Sequence, residues 1–281
     1  MNLNADFGEI ISRVRDTKPV IHMLTNYVTA ESCADVTLAM GASPIMADEP
    51  EEMEDIVMGA DAVVINLGTL NYNTMIAMER AAAVAKDRKL PVILDPVGVM
   101  SSGLRLEFAL KLLEEGYISI VRGNYSECWA LVSEQTGGGR GVDTVVEGEA
   151  KAAEEAALKL AQQGALKYGA VFAVTGAVDN ISDGKRAVVL NNGHPLLQDI
   201  TGSGCMTSAL VAACATAQED LLVAAACGIV IMGQAAELAA NLLDKKDGPG
   251  MFKARLLDGV YHVTTKWNLV HLEPEQNVSG N

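Results

Sequence analysis

The chain has 281 residues, with 21 Lys and Arg against 36 Asp and Glu, a formal net charge of −15. That balance, with a pI near 4.6, excludes partners bound through phosphate neutralisation, such as DNA, RNA or an anionic membrane. Hydrophobic residues at 49% and charged residues at 20% exclude intrinsic disorder, and aromatics at only 4% leave the core to Ala, Val, Leu, Ile and Met.

Residues 1–15 are polar and mixed in charge, with no apolar signal-peptide core. Residues 20–24 read as a strand and 29–40 as a helix stopped by Gly41. A short strand is expected over 43–46 and a helix over 51–59. The run 62–67 (AVVINL) is continuously apolar, the mark of a strand covered on both faces. A helix over 71–88, a strand over 91–94 and a helix over 104–115 follow. Then come a strand over 118–121, a helix over 124–134, a strongly periodic helix over 149–163 and a buried strand over 170–174. Residues 178–182 and 186–190 flank Asp183-Gly184-Lys185 and read as an antiparallel hairpin at a sheet edge. From Cys205 to about Thr265 the pattern is helical, and the tail after Trp267 is polar and expected to fray.

Strand–helix alternation at this spacing implies right-handed crossovers. The expected architecture is a three-layer α/β/α fold with a mostly parallel central sheet and an antiparallel edge hairpin. No linker divides the chain, so residues 1–281 are expected as one domain; Gly137-Gly138-Gly139-Arg140-Gly141 reads as a mobile loop. The longest apolar stretch, 221–243, carries Gln234 and Glu237 among small residues and fits a buried helix better than a membrane span. Cys33, Cys128, Cys205, Cys214 and Cys227 are odd in number and without CxxC spacing, so they read as reduced thiols in a cytoplasmic protein.

In such sheets ligands bind outside the carboxyl ends of the strands. The segments there are Thr25-Asn26, Ala47-Asp48, Gly68-Thr69, Asp95-Pro96-Val97-Gly98, Arg122-Gly123-Asn124 and Thr175-Gly176. Thr201-Gly202-Ser203-Gly204-Cys205 opens a long helix, where glycines and the helix dipole let the amides of Gly202, Ser203, Gly204 and Cys205 hold an anion. Cys205 then faces what those amides hold and is a candidate proton acceptor, since a helix N-terminus lowers a thiol pKa; a plain Gly-rich loop with Cys205 as a small buried hydrophobe is the alternative that a lone GxG favours. Glu127 could hold Mg²⁺, yet with Asn124 it also forms a capping box that needs no ligand. Arg122 suits phosphate oxygens or a surface ion pair. Asp95 could order metal-bound water or start a turn, and Thr175 offers a hydroxyl to phosphate or ends a strand. Met46 could wall a substrate pocket. The histidines lack metal-ligand spacing. GxxxxGK[ST], an early GxGxxG and GxSxG are all missing from the sequence, which sets aside P-loop NTPases, common dinucleotide enzymes and α/β-hydrolases.

The order of these segments resembles the hydroxyethylthiazole kinase family of the ribokinase-like superfamily. The resemblance runs through His22-Met23-Leu24-Thr25-Asn26, Gly41-Ala42-Ser43-Pro44-Ile45-Met46-Ala47, Asn66-Leu67-Gly68-Thr69 and Asp95-Pro96-Val97-Gly98. It continues through Arg122-Gly123-Asn124 with Glu127, Thr175-Gly176 with Asp179, Asn192-Gly193-His194, Thr201-Gly202-Ser203-Gly204-Cys205 and Asp247-Gly248-Pro249-Gly250. It implies a ribokinase-like fold and ATP- and Mg²⁺-dependent phosphorylation of the alcohol of 4-methyl-5-(2-hydroxyethyl)thiazole in thiamine salvage. Carried over by position, Met46, Gly202 and Asn26 are implied to contact the thiazole and Arg122 and Thr175 the ATP phosphates. Asp95 and Glu127 are implied to organise Mg²⁺, and Cys205 stands where most ribokinase-like kinases carry the catalytic Asp. A homotrimer with sites between subunits is implied as well. After Asp95-Pro96-Val97-Gly98 the family usually continues Ala-Gly-Ala-Thr, whereas this chain has Val99-Met100-Ser101-Ser102. That leaves open another small heterocyclic alcohol or sugar as acceptor, and Cys205 leaves open a non-catalytic thiazole- or nucleotide-binding relative. An acidic chain that binds a triphosphate has to rely on backbone amides, few cations and Mg²⁺, so nucleotide binding is expected to depend steeply on Mg²⁺.

Overall fold

The computed structural model describes residues 3–137 and 150–266. The Gly-rich loop from residue 138 onward, the expected first residue of the helix at Glu149 and the tail after Trp267 lie outside the described residues.

One sheet holds eight strands: β1 (Val20–Leu24), β2 (Ser43–Ile45), β3 (Ala62–Asn66), β4 (Val92–Asp95), β5 (Ile120–Asn124), β6 (Val171–Thr175), β7 (Asp179–Ser182) and β8 (Ala187–Leu190). Their order across the sheet is β2-β1-β3-β4-β5-β6-β7-β8. The first six are parallel, and the hairpin β7–β8 is antiparallel at the far edge. Helices α1 (Leu3–Thr17), α2 (Ala30–Met40), α8 (Ser203–Ala217), α9 (Leu221–Asn241) and α10 (Pro249–Thr265) pack over one face. Helices α3 (Met53–Met58), α4 (Tyr72–Asp87), α5 (Gly103–Glu114), α6 (Tyr125–Ser133) and α7 (Ala150–Tyr168) pack over the other.

Alternating strand residues feed two separate cores, because successive side chains leave a strand on opposite faces. In β3, Ala62 and Val64 join the first core while Val63 and Ile65 join the second. Covering both faces is what makes the strands continuously apolar in sequence. α9 is long and apolar enough to cross a membrane by length and composition, yet it is mostly buried, packed between α8 and α10. A helix that is apolar all round belongs in such a core.

Three elements differ from expectation. α1 was not legible in its polar, mixed-charge sequence; it forms because Phe7, Ile10, Ile11 and Val14 share one face, which is buried. β5 starts later than expected and runs on to Asn124, so Arg122 and Gly123 lie inside the sheet ladder, paired with Ala173 and Val174. The apolar pattern that marks a strand ends at Val121 because Arg122 and Gly123, though paired in the sheet, carry no apolar side chain. α7 passes Gln163 and reaches Tyr168. Gly164 is no helix stop: a side chain there would overlap the ring of Phe172, so the glycine is a packing contact with β6.

Candidate active site

β1, β3 and β4 are neighbours, and their carboxyl ends present Asn26, Asn66 and Asp95, all buried. Asn66 is in register with Asp95. Its Oδ1 accepts from Asn26 Nδ2 at 3.0 Å and from the Gly68 amide at 2.9 Å. Its Nδ2 donates to Asp95 Oδ2 at 2.8 Å and to Cys205 Sγ at 3.2 Å. Asn26 Nδ2 also points at Cys205 Sγ, at 3.4 Å, and Ser208 Oγ donates to Asp95 Oδ2 at 3.0 Å. A buried polar network of this kind rigidifies its members because every broken bond leaves an unpaired group in low dielectric. One atom stands apart: Asp95 Oδ1 is buried without a hydrogen-bond partner.

α8 begins above this floor. Gly202 is its N-cap at φ +88°, a left-handed conformation that favours glycine, and no side chain caps the helix. Its first amides therefore stay available, with the positive end of the helix dipole behind them. Arg122 packs against this turn so closely that a Cβ on Gly204 would lie 2.5 Å from Nη1. Arg122 Nη2 donates to Thr175 Oγ1 at 2.7 Å, and Nη1 lies 4.0 Å from Asp95 Oδ1. Uncapped amides and a guanidinium thus face one place, the combination that favours an anion.

Glu127 fulfils the capping expectation. Asn124 Oδ1 accepts from the Glu127 amide at 2.8 Å, and Glu127 Oε2 accepts from the Asn124 amide at 3.0 Å. The cap does not exhaust the carboxylate, because Oε1 reaches the Gly98 amide at 3.4 Å, at the end of the Asp95 segment. Burial, and then the charge of Asp95, push the Glu127 carboxyl up to about 7, against the pull of Arg122 and the two amides. Burial likewise pushes Asp95 up, opposed by Arg122, Ser208 and Asn66. Two carboxyls held above their usual range, each raised in part by burial, are poised to gain from a cation. A third, Asp179, is pushed by burial to about 7 while it accepts from the Gly176 amide at 3.0 Å beside Thr175.

Met46 follows β2 at the same sheet edge and is partly exposed, whereas its neighbour Ala47 is anchored by His22. His22 Nε2 lies 2.9 Å from the Ala47 carbonyl, so Nε2 carries the hydrogen, and burial holds this ring below the usual histidine range. The structure thus brings Asn26, Asp95, Glu127, Arg122, Thr175 and the segment Gly202 to Cys205 together, while Met46 lies exposed just after the edge strand β2.

One expectation is corrected. The Cys205 thiol is not lowered: burial and then the charge of Asp95 push it above the ordinary range, against the pull of Thr29, Asn26 and Asn66. The altered segment after Gly98 also has a place. Val99 is buried in the second core and Met100 packs against it, so these larger side chains fill the α5–α6 side of the sheet.

Residues 11–266 match the hydroxyethylthiazole kinase family. A hydroxyethylthiazole kinase of Ruminiclostridium cellulolyticum is 43% identical over 251 residues, 89% of this chain and 90% of that one. The chain belongs to the hydroxyethylthiazole kinase family. The structure of a hydroxyethylthiazole kinase from Pyrococcus horikoshii is 34% identical, with a TM-score of 0.86 over 98% of this chain and 99% of that one. At 13% identity and a TM-score of 0.62, a ribokinase-like superfamily protein from Enterococcus faecalis, covering 92% of this chain and 94% of that one, shares the fold. A hydroxyethylthiazole kinase phosphorylates the alcohol of its thiazole substrate with ATP as co-substrate, and the anion-facing turn of α8 suits that chemistry.

Sequence reasoning placed no role on Asn66 or Ser208, which hold Asp95 and, for Asn66, Cys205. Asn66 was visible as the one polar residue in an apolar run, and Ser208 shares a helix face with Gly204 at i+4.

Proposed function

We propose that phosphoryl transfer takes place between the carboxyl ends of β1, β3 and β4 and the first turn of α8. Supporting this is the convergence of the uncapped amides of α8, Arg122 and the Asn66–Asp95–Cys205 network on one spot. In this reading Asn26, Met46 and Gly202 contact the thiazole, Arg122 and Thr175 bind the ATP phosphates, and Gly202, Ser203, Gly204 and Cys205 cradle the migrating group. Asp95 and Glu127 offer a hard, oxygen-only donor set, and the buried, unpartnered Asp95 Oδ1 fits an Mg²⁺ held there directly or through water. Bound there, Mg²⁺ would neutralise part of the triphosphate charge.

The protein's work is mainly positioning and charge stabilisation, since phosphoryl transfer passes through a loose transition state. The acceptor oxygen bonds to the γ-phosphorus as the bond to the ADP oxygen breaks, with the equatorial oxygens held by the α8 amides and Arg122. The hydroxyl proton moves late to Cys205 Sγ while the thiol passes its own proton toward the Asp95 carboxylate, which shares the Asn66 amide with it. No free thiolate has to form, which suits a thiol held above its ordinary range.

The same reading places the product in thiamine salvage and the protein in the cytoplasm, where five free cysteines persist. It includes a homotrimer with sites between subunits. The exposed Tyr27, Val28 and Leu38, close in sequence to Asn26, supply apolar surface for a second copy. Thiazole-dependent ADP release with and without Mg²⁺, run beside sedimentation of the protein, tests the proposal. ADP release that needs both thiazole and Mg²⁺, from a trimer, is the expected result. Thiazole binding with no ADP release would overturn it in favour of a non-catalytic relative.

A further inference from the structure

We propose that Arg105 is a positioning residue that holds the acceptor half and the carboxylate half of the active site in register; the inference rests on the site proposed above. Arg105 lies in the first turn of α5, where Ser102 Oγ accepts from its own backbone amide. A cation is disfavoured at that end of a helix, so α5 gains nothing from its charge. No carboxylate lies within ion-pair distance of it among the described residues, in a chain of net charge −15.

Its guanidinium is spent on two carbonyls instead. Nη2 donates to Gly68 O at 2.7 Å and Nη1 to Val97 O at 3.3 Å. These carbonyls belong to the turns that follow the adjacent strands β3 and β4. Each turn in turn holds one half of the site. The Gly68 amide donates to Asn66 Oδ1, and Asn66 orients Cys205 and Asp95. Gly98, next to Val97, donates its amide to Glu127 Oε1.

The backbone is shaped to let the guanidinium through. Gly98 has φ +77°, and a Cβ on it would overlap Arg105 Nη1. A planar fork can bridge two carbonyls at once, whereas an ammonium on a flexible stem acts as a single point charge. Without the fork each turn relaxes independently, and Cys205 and Glu127 lose their common reference. Misplacement of about 1 Å away from the chemistry can cost on the order of 100-fold in rate.

The test is a double-mutant cycle on the full chain, assayed at saturating Mg²⁺ well below each variant's melting temperature. Arg105→Gln and Arg105→Lys should each lower kcat by about 10- to 100-fold, with the KM values for ATP and thiazole changed far less. Arg105→Gln combined with Glu127→Gln should lose much less than the product of the two single losses, because both act through the same carboxylate. Unchanged kcat in folded Arg105→Gln overturns the proposal and leaves the site intact if Glu127→Gln is impaired. Multiplicative losses also overturn it, since they leave Arg105 a local brace. Unchanged kcat in Glu127→Gln overturns the carboxylate half of the site and the register argument together. If Arg105→Gln does not fold, Arg105→Lys decides by the same comparison, and wild-type kcat in it overturns the proposal.

Discussion

Asn66 Nδ2 donates to Asp95 Oδ2 at 2.8 Å and to Cys205 Sγ at 3.2 Å, so a single buried amide ties the carboxylate at the end of β4 to the thiol at the start of α8. Among the described residues no other side chain hydrogen-bonds to both, which makes Asn66 the joint between Asp95 and Cys205. Asn66→Ala should lower stability by about 1–3 kcal/mol, the range for leaving a buried polar partner unpaired. It should also lower kcat, because Cys205 and Asp95 lose their common donor. Denaturant midpoints read beside steady-state kinetics check both; a stability loss with wild-type kcat would reduce Asn66 to a structural bond.

Cys205 offers a second test. With its thiol pushed up by burial and Asp95, it should alkylate more slowly near neutral pH than a free cysteine, and faster as pH rises. Mass spectrometry of iodoacetamide-treated protein follows this directly. Cys205→Ala should lower kcat by about 10- to 100-fold, near the low end for a positioned proton acceptor. Cys205→Asp should keep or raise turnover, because a carboxylate can take the proton without a relay. Complete loss of activity in both folded variants would remove the proton-transfer role.

The strand–helix rhythm carries most of the fold because each strand is sandwiched between helix layers and reads as an apolar run, as 62–67 does. The rhythm fails where a polar or packing contact replaces the expected apolar pattern. Arg122 broke the apolar run of β5 and so shortened the expected strand, although it is that residue which meets Thr175 and Gly204. The helix expected to end at Gln163 runs on through Gly164, because a sequence cannot show that Phe172 fills the space above that glycine. Asp95, Glu127, Arg122 and the α8 turn were legible from their place after strands. Arg105 was not: its significance lies in two backbone carbonyls, which have no sequence signature.

Arg122 is expected to act through charge placed at the α8 turn. Arg122→Ala should raise the KM for ATP and lower kcat by about 100-fold, the scale seen when one preorganised donor to a developing charge is removed. Gly204→Ala should shift both parameters in the same direction, because its new Cβ would press on Nη1. Thr175→Val, which removes the acceptor of the 2.7 Å bond, should raise the KM for ATP more modestly. Unchanged ATP kinetics in all three variants would take Arg122 out of the nucleotide site.

Asp179 gives the fold a pH signature. Burial lifts its carboxyl from 3.8 to about 7, against the Gly176 amide and Arg122. Below 3.8 the folded and unfolded chains both carry the proton and the group contributes nothing. As pH rises from 3.8 to 7 the unfolded chain ionises first, so stability falls across that window and the full cost, a few kcal/mol, persists above it. Asp179→Asn keeps an oxygen to accept from Gly176 and cannot ionise. Its stability should match the wild type near pH 4, exceed it increasingly toward pH 7 and stay above it at pH 8. Urea midpoints for both proteins across this range give the comparison directly. Curves that run parallel would show that Asp179 ionises in the folded chain as readily as in the unfolded one.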